Sequence, residues 1–321
     1  EYLAHAARLD AENEKEEIVM NAVDAFTNFY KAGATVNLIK ESLEQSRQRV
    51  KDFTNLERNG LLARNDLLKA QLHTSNIELS LLDAESSLEL ANVAMNLMLG
   101  FPEQTMLIPD SAGFIFPDTL QPLAVYEQLS LAHRKDRAAL ALRRKAAGSS
   151  IKAARADLLP GVALTGGYVA LEVPGLLTVT NAVNLGLGIQ YSLSSLWKNK
   201  AKVEQAKARE LALEVNEKQL NDAVYLAVNE AYQHCLVSRK KMEVYKQAIV
   251  QAEENYRITW NKYENSLVNT TELLDAELDQ LQARLNYAFS RVDALVAYNK
   301  LLGAAGQLTE LTVKNNQNAL N

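Results

Sequence analysis

Two carboxylates, Glu272 and Asp275, stand three residues apart in a helix-forming stretch, so both project from one helix face. Such a pair could present a charged surface. It also suits a structural role, because Asn269-Thr270-Thr271-Glu272 has the pattern of a capping box and acids favour the first turn of a helix. The remaining reactive residue types form no constellation. His5, His73, His133 and His234 fall on different segments, and His234 beside Cys235 has no second ligand pair at metal spacing. Gly186-Leu187-Gly188 lacks the third glycine and the helix start of a phosphate loop. Asn269-Thr270-Thr271 matches a glycosylation sequon, a pattern expected by chance. No catalytic set, metal or cofactor is indicated. The lone Cys235 rules out an intrachain disulfide. A net charge of -5 and a pI near 5.6 argue against nucleic-acid binding, which needs a basic footprint.

The acids lie beside one of two similar breaks in long helical stretches. The first reads Glu57-Arg58-Asn59-Gly60-Leu61-Leu62-Ala63-Arg64-Asn65-Asp66-Leu67-Leu68-Lys69-Ala70. The second reads Tyr263-Glu264-Asn265-Ser266-Leu267-Val268-Asn269-Thr270-Thr271-Glu272-Leu273-Leu274-Asp275-Ala276. One offset of 206 residues sets Gly60 on Ser266, Asp66 on Glu272, and Leu67-Leu68 on Leu273-Leu274. This is an internal two-fold repeat with a period far too long for a solenoid. Each break reads as the tip of an antiparallel helical hairpin whose arms, some 40–60 residues long, extend roughly 60–90 Å at 1.5 Å per residue.

All six prolines lie between Pro102 and Pro174, and the proline-free flanks suit long helices. The ascending arm of the second hairpin keeps a spacing of threes and fours through Leu220, Val224, Ala227, Ala231, Cys235, Ser238, Met242, Tyr245, Ile249, Ala252, Tyr256, Thr259 and Tyr263. The descending arm resumes it at Leu274, Leu278, Leu281, Leu285, Ala288, Val292 and Leu295. That period predicts a coiled-coil seam, with Tyr263 as one of its members. Between the helical blocks, Met106-Leu107-Ile108 and Phe114-Ile115-Phe116 suggest loop and a small strand, and residues 123–157 read as helix.

A different period governs Asn184 to Leu193. Leu185, Leu187, Ile189, Tyr191 and Leu193 share one face, and Asn184, Gly186, Gly188, Gln190 and Ser192 the other. Gly161 to Leu171 is a looser partner, and Trp197 follows where an interface aromatic would sit. The pattern fits a strand of an outer-membrane barrel, lipid outside and water inside, and equally a half-buried soluble hairpin. No run of about 18 apolar residues is present. One hairpin cannot close a barrel, so the membrane reading calls for oligomerisation and a second hairpin. The chain opens mid-pattern at Glu1-Tyr2-Leu3, which leads us to expect that the natural N-terminus lies upstream.

Taken in order, these parts resemble the TolC family of outer-membrane efflux channels. The resemblance rests on both tips with their downstream Leu-Leu-x-Ala, the helix ends Leu99-Gly100 and Leu302-Gly303, the segment Ile151 to Pro160 running into a strand, and the hairpin leading to Leu196-Trp197. It covers essentially the whole chain. The resemblance implies a mainly α homotrimer: two long coiled-coil hairpins per protomer form a periplasmic α-barrel, continuing into a shared 12-stranded β-barrel. The family's first strand pair and initial helix would precede residue 1; their absence reads as truncation, proteolysis or a segment not included, and without them no barrel of the family's type could close.

On that resemblance the chain divides into a first helical hairpin (1–100, tip near 60), an equatorial segment with connecting helices (101–157), a membrane β-hairpin (158–196), a second helical hairpin (197–303, tip near 266) and an equatorial tail (304–321). It implies further that Glu272 and Asp275, with Asp66, ring the periplasmic aperture. Three copies there would repel anions, attract cations and raise one another's pKa on close approach. Asp66 and Tyr263 match a latch pair; the arginine of a second latch is replaced by Val268. Gly60-Leu61 and Ser266-Leu267 match tips that meet a periplasmic adaptor. The lipid-facing strand would be Leu185, Leu187, Ile189, Tyr191 and Leu193. The implied function is a passive duct at the outer membrane of a Gram-negative bacterium, extending into the periplasm. It would export drugs, other small molecules or secreted material from the adaptor and an inner-membrane pump, resistance-nodulation-division type for efflux. The competing reading is a soluble coiled-coil tether or scaffold.

Overall fold

The computed structural model describes residues 1–109, 119–175, 177–191 and 195–308. In order these form helices α1 (Tyr2–Arg58), α2 (Arg64–Leu99), α3 (Leu123–His133) and α4 (Lys135–Ala156), strands β1 (Gly161–Val173) and β2 (Leu177–Gln190), and helices α5 (Ser195–Glu264) and α6 (Thr270–Ala304). Helices α1 and α5 run for 57 and 70 residues without a proline to remove a backbone donor. Their apolar periodicity rather than helix propensity stabilises them, since a helix of this length depends on a packed stripe.

The chain folds as two compact units. One comprises Asn13–Arg134 with the described residues from Val224 onward. Within it α1 and α2 are zipped by Val36, Ile39, Leu43, Ile77 and Ala84, with Leu81 and Leu88 against them. The Ser46 and Thr74 hydroxyls bond across the same pair at 2.7 Å. The expected seam of α5 holds throughout: each named position from Leu220 to Tyr263 is buried or half-buried. On α6 the seam departs at one place. Leu278 is 53% exposed, whereas Glu277 turns inward and is 2% exposed. The cause is a buried ion pair that Glu277 makes with α1.

Helix α2 ends at Gly100, in the left-handed region at φ 71, and Phe101 N–H bonds back to Asn96 O at 2.9 Å. The segment that follows is held by two side chains of α2. Asn92 Nδ2 donates to Thr105 O at 2.9 Å and its Oδ1 accepts from Leu107 N–H at 3.0 Å; Asn96 Nδ2 donates to Glu103 O and Thr105 O at 3.0 and 2.7 Å. Of the loop and small strand expected here, Met106-Leu107-Ile108 is loop. Phe114-Ile115-Phe116 lies outside the described residues. The single helix expected over 123–157 is two, divided at Arg134, whose ψ of 122 is extended. Gly306 backs onto this break so closely that a Cβ there would stand 2.9 Å from Arg134 N.

The second unit comprises Glu1–Glu12 with Lys135–Ala223. Its helices are laced by ion pairs: Arg143 with Asp10, Lys135 with Glu12 at 3.4 Å, and Arg144 with Glu217 at 3.1 Å. Strands β1 and β2 pair antiparallel, with Val162 opposite Ile189, Leu164 opposite Leu187, Gly166 opposite Leu185 and Tyr168 opposite Val183. Residues directly opposite share a face, so these eight make one continuous apolar surface broken only by a glycine. The other face pairs Ala163 with Gly188, Thr165 with Gly186 and Gly167 with Asn184. There the glycines have a reason: a Cβ on Gly167 would meet Asn184 Oδ1 at 2.7 Å, and one on Gly186 would meet Thr165 Oγ1 at 2.9 Å.

Candidate functional site

The two expected tips fold alike to the level of single hydrogen bonds. Gly60 N–H donates to Glu57 O and Leu61 N–H to Leu56 O, both at 2.9 Å; Ser266 N–H donates to Tyr263 O and Leu267 N–H to Lys262 O, again at 2.9 Å. This is a Schellman ending of α1 and of α5, which needs a left-handed residue just past the helix. Asn59 Nδ2 reaches Asn55 O at 2.8 Å and Asn265 Nδ2 reaches Asn261 O at 2.7 Å. Every one of these partners obeys the same 206-residue offset. Leu61 and Leu267 protrude from the tips at 75% and 73% exposure.

The descending helices begin differently. Asn269 caps α6 by accepting from Glu272 N–H at 3.0 Å, and its Nδ2 donates to Glu272 Oε1 at 2.9 Å. Ala63, at the equivalent place before α2, supplies no side-chain cap. Glu272 thus performs the capping role its sequence pattern allowed, while remaining exposed, as does Asp275. Asp66 is mostly shielded, with its side chain 24% exposed beside the Lys69 ammonium at 3.5 Å.

Asp66 and Tyr263 come into one neighbourhood, and the structure shows how each is engaged. The Tyr263 ring stacks on Phe53 with centroids 5.6 Å apart, and its hydroxyl pairs with Thr270 Oγ1 at 3.4 Å. Burial raises the Tyr263 phenol pKa, and the Asp66 carboxylate pushes it the same way. A hydrogen bond between the hairpins is made by Lys69, whose Nζ donates to Thr271 Oγ1 at 3.2 Å. Beneath these groups Phe53, Leu67, Ala70 and Leu273 form a core, covered by Val50, Leu62, Tyr256, Trp260 and Tyr263. All four long helices contribute to it.

One turn or two above that core lies a group of residues that the sequence reading did not single out. Arg49 of α1 and Glu277 of α6 form an ion pair with both side chains 5% exposed or less. Arg49 Nη2 also donates to Tyr256 Oη at 2.7 Å, and the guanidinium lies over the Trp260 ring, 5.4 Å from its centroid. His73 of α2 places Nε2 3.5 Å from Glu277 Oε2. Burial lowers the pKa of Arg49 and of His73, and in His73 the neighbouring Arg49 charge lowers it further while Asp275 opposes. Arg49 Nε, His73 Nε2 and Glu277 Oε1 are buried without a hydrogen-bond partner. No local signal marked Glu277: the residue 206 positions earlier, Gln71, is also polar but exposed. Only the long-range pairing, 228 residues apart, reveals its partner.

Among the described residues, the β-hairpin and α2 each carry an exposed apolar surface. On the β-hairpin Leu185, Leu187 and Ile189 are 70–80% exposed and Tyr191 is 43% exposed; Leu193 lies outside the described residues. On α2, Leu68, Leu72, Leu79, Leu82, Leu90 and Leu97 recur at helical spacing and all are exposed. No described helix is long and apolar enough to cross a membrane. Among the described residues no His, Cys, Asp and Glu group could hold a metal ion. Cys235 is buried, which pushes its thiol up to about 11.

Known proteins share this architecture. No curated protein matches the sequence. Among solved structures, the outer-membrane channel OprN superposes with a TM-score of 0.81 at 20% identity, over 95% of this chain and 69% of that one. VceC of Vibrio cholerae gives 0.80 at 20% identity, over 95% of this chain and 73% of that one. The Campylobacter jejuni CmeC channel gives 0.79 at 16% identity, over 97% and 68%. At these identities the likeness establishes the fold. Family membership comes from sequence: residues 127–307, more than half the chain, match the outer membrane efflux protein family. With the TolC-like order of hairpins, strands and tips in place, the chain belongs to the outer membrane efflux protein family.

Proposed function

We propose that this outer-membrane efflux channel is the passive exit duct of a tripartite assembly. It exports drugs or other small molecules handed on by a periplasmic adaptor and an inner-membrane pump of the resistance-nodulation-division type. The observation that carries this reading is the two-faced β-hairpin. Its strands of 13 and 14 residues exceed the 9–11 residues or so that a tilted membrane strand needs. One face is apolar and exposed but for Gly166; the other is mainly glycine, alanine and polar residues, with Val169 among them. An isolated two-stranded ribbon is marginal in water and has open edges that lipid cannot satisfy. Closing it calls for more strands, and a homotrimer sharing a 12-stranded barrel meets that need with four strands per protomer, of which this hairpin is two. The leucine stripe on α2 supplies a matching seam for a neighbouring copy along the helical hairpins.

In this reading Glu272, Asp275 and Asp66 line the periplasmic aperture, Asp66 and Tyr263 belong to its latch, and Gly60-Leu61 and Ser266-Leu267 face the adaptor. The exposed leucines at the tips suit docking, since an apolar point at a hairpin end has no partner within its own chain. The test is made on the full-length protein. It should fractionate with the outer membrane, require detergent, cross-link as a trimer, conduct ions in planar bilayers and co-purify with adaptor and pump. A soluble, non-conducting full-length protein would mean a coiled-coil tether instead. Co-purification with an ATP-driven secretion transporter would transfer the reading from drug efflux to protein secretion.

A further inference from the structure

The buried group formed by Arg49, His73, Glu277, Tyr256 and Trp260 spans both hairpins: Arg49 and His73 belong to the first, the other three to the second. Parting the hairpins therefore exposes to water every charge the group holds. Held shut, the group is balanced, because one carboxylate faces one guanidinium and the oxygen left over, Glu277 Oε1, belongs to that same carboxylate. His73 has the Arg49 cation beside it on α1 and Glu277 and Asp275 facing it from α6; the Tyr256 and Tyr263 phenols of α5 and Asp52 of α1 act on Arg49, and Lys69 and Asp66 lie nearer the tip on the helix of His73. We propose that His73 is an acid-operated release for the junction of the two hairpins: protonation sets a second buried cation against Arg49 over a single shared carboxylate, and the hairpins separate above their tips.

The sign follows from linkage. Burial and Arg49 hold the His73 pKa below its ordinary value, with Asp275 opposing. The closed junction thus binds fewer protons than the open one, so its stability is complete at pH values above the ordinary imidazole pKa of about 6.5 and falls as the pH drops below it. Histidine is the only side chain in the group whose ordinary pKa lies between about 5 and 8. The Glu277 contact at 3.5 Å does not reverse this, since that carboxylate is already committed to Arg49.

The experiment is amide hydrogen exchange on the full-length protein in detergent, between pH 7.5 and 5, corrected for intrinsic exchange. The readout is the opening of the backbone around Phe53, Leu67 and Ala70. Opening should rise about tenfold per pH unit once the pH is below about 6.5, the slope of one proton. His73→Gln should flatten that slope. Asp275→Asn, which leaves the buried group whole, should keep the onset near pH 6.5, which the separated state sets, and extend the rise further toward low pH, because it removes the charge that opposes the shift. This second variant decides the matter if His73→Gln alone loosens the fold. A flat wild-type profile, an undiminished slope in His73→Gln, or a rise that levels off at higher pH in Asp275→Asn than in wild type would each overturn the release. Its consequence for transport rests on the reading of the tips as an aperture, and bilayer conductance separates the two. Conductance rising in step with exchange supports both; exchange rising without conductance supports the release and removes the aperture.

Discussion

Gly60 and Ser266 occupy the same left-handed turn position 206 residues apart, at φ 69 and φ 57. Ser266 is the one non-glycine residue with positive φ among the described residues. The repeat has kept a backbone conformation at the second tip and lost the residue that holds it most easily. An L-residue there costs on the order of 1 kcal/mol, which the Schellman hydrogen bonds offset locally.

Exchanging the residues should therefore act in opposite directions. Ser266→Gly should stabilise the second tip by about 0.5–1 kcal/mol, and Gly60→Ala should destabilise the first by about 1 kcal/mol, read as protection of the adjoining amides. A Cβ on Gly60 meets no atom within 4 Å, so any loss there is conformational and not a clash. Equal behaviour of both tips would contradict this account.

The Arg49–Glu277 pair predicts an asymmetry between breaking and replacing. Glu277→Ala should cost about 3–5 kcal/mol, because it strands a buried guanidinium. Replacing both with apolar residues of similar size, Arg49→Met with Glu277→Leu, should recover most of that loss. Denaturant titration of the three variants against wild type checks it.

For the aperture, neutralising the acids should raise conductance at neutral pH and remove block by divalent or trivalent cations in planar bilayers. Glu272→Gln with Asp275→Asn is the useful pair, since glutamine can still complete the capping box with Asn269. Persistent cation block in that variant would count against a carboxylate ring. Asn269→Ala, by contrast, should cost about 1 kcal/mol of helix stability and leave cation block intact.

On the β-hairpin the two faces should respond differently to charge. Leu187→Lys, on the apolar face, should cost about 2–4 kcal/mol if that residue lies near the bilayer midplane, and should reduce the amount of assembled protein in outer membranes. Gln190→Lys, on the small polar face, should assemble normally. Equal tolerance at both positions would favour a hairpin standing in water.

The primary structure determined the elements because their periods are local. Proline-free flanks, heptads on α5, strict alternation from Asn184 and a duplicated tip all act within a few turns of chain, and the structure follows each of them. The same locality made the tips recognisable, down to the capping box at Asn269. Tertiary structure decided what depends on partners far away in sequence. It turned Glu277 inward and Leu278 outward, because a carboxylate can be buried only against a cation and Arg49 stands 228 residues away. It fixed the loop from Glu103 to Leu107 against α2, because Asn92 and Asn96 bond its backbone groups. It placed His73, an unremarkable histidine in one helix, beside that ion pair. Burial and long-range charge belong to the folded arrangement, so no window of sequence could display them.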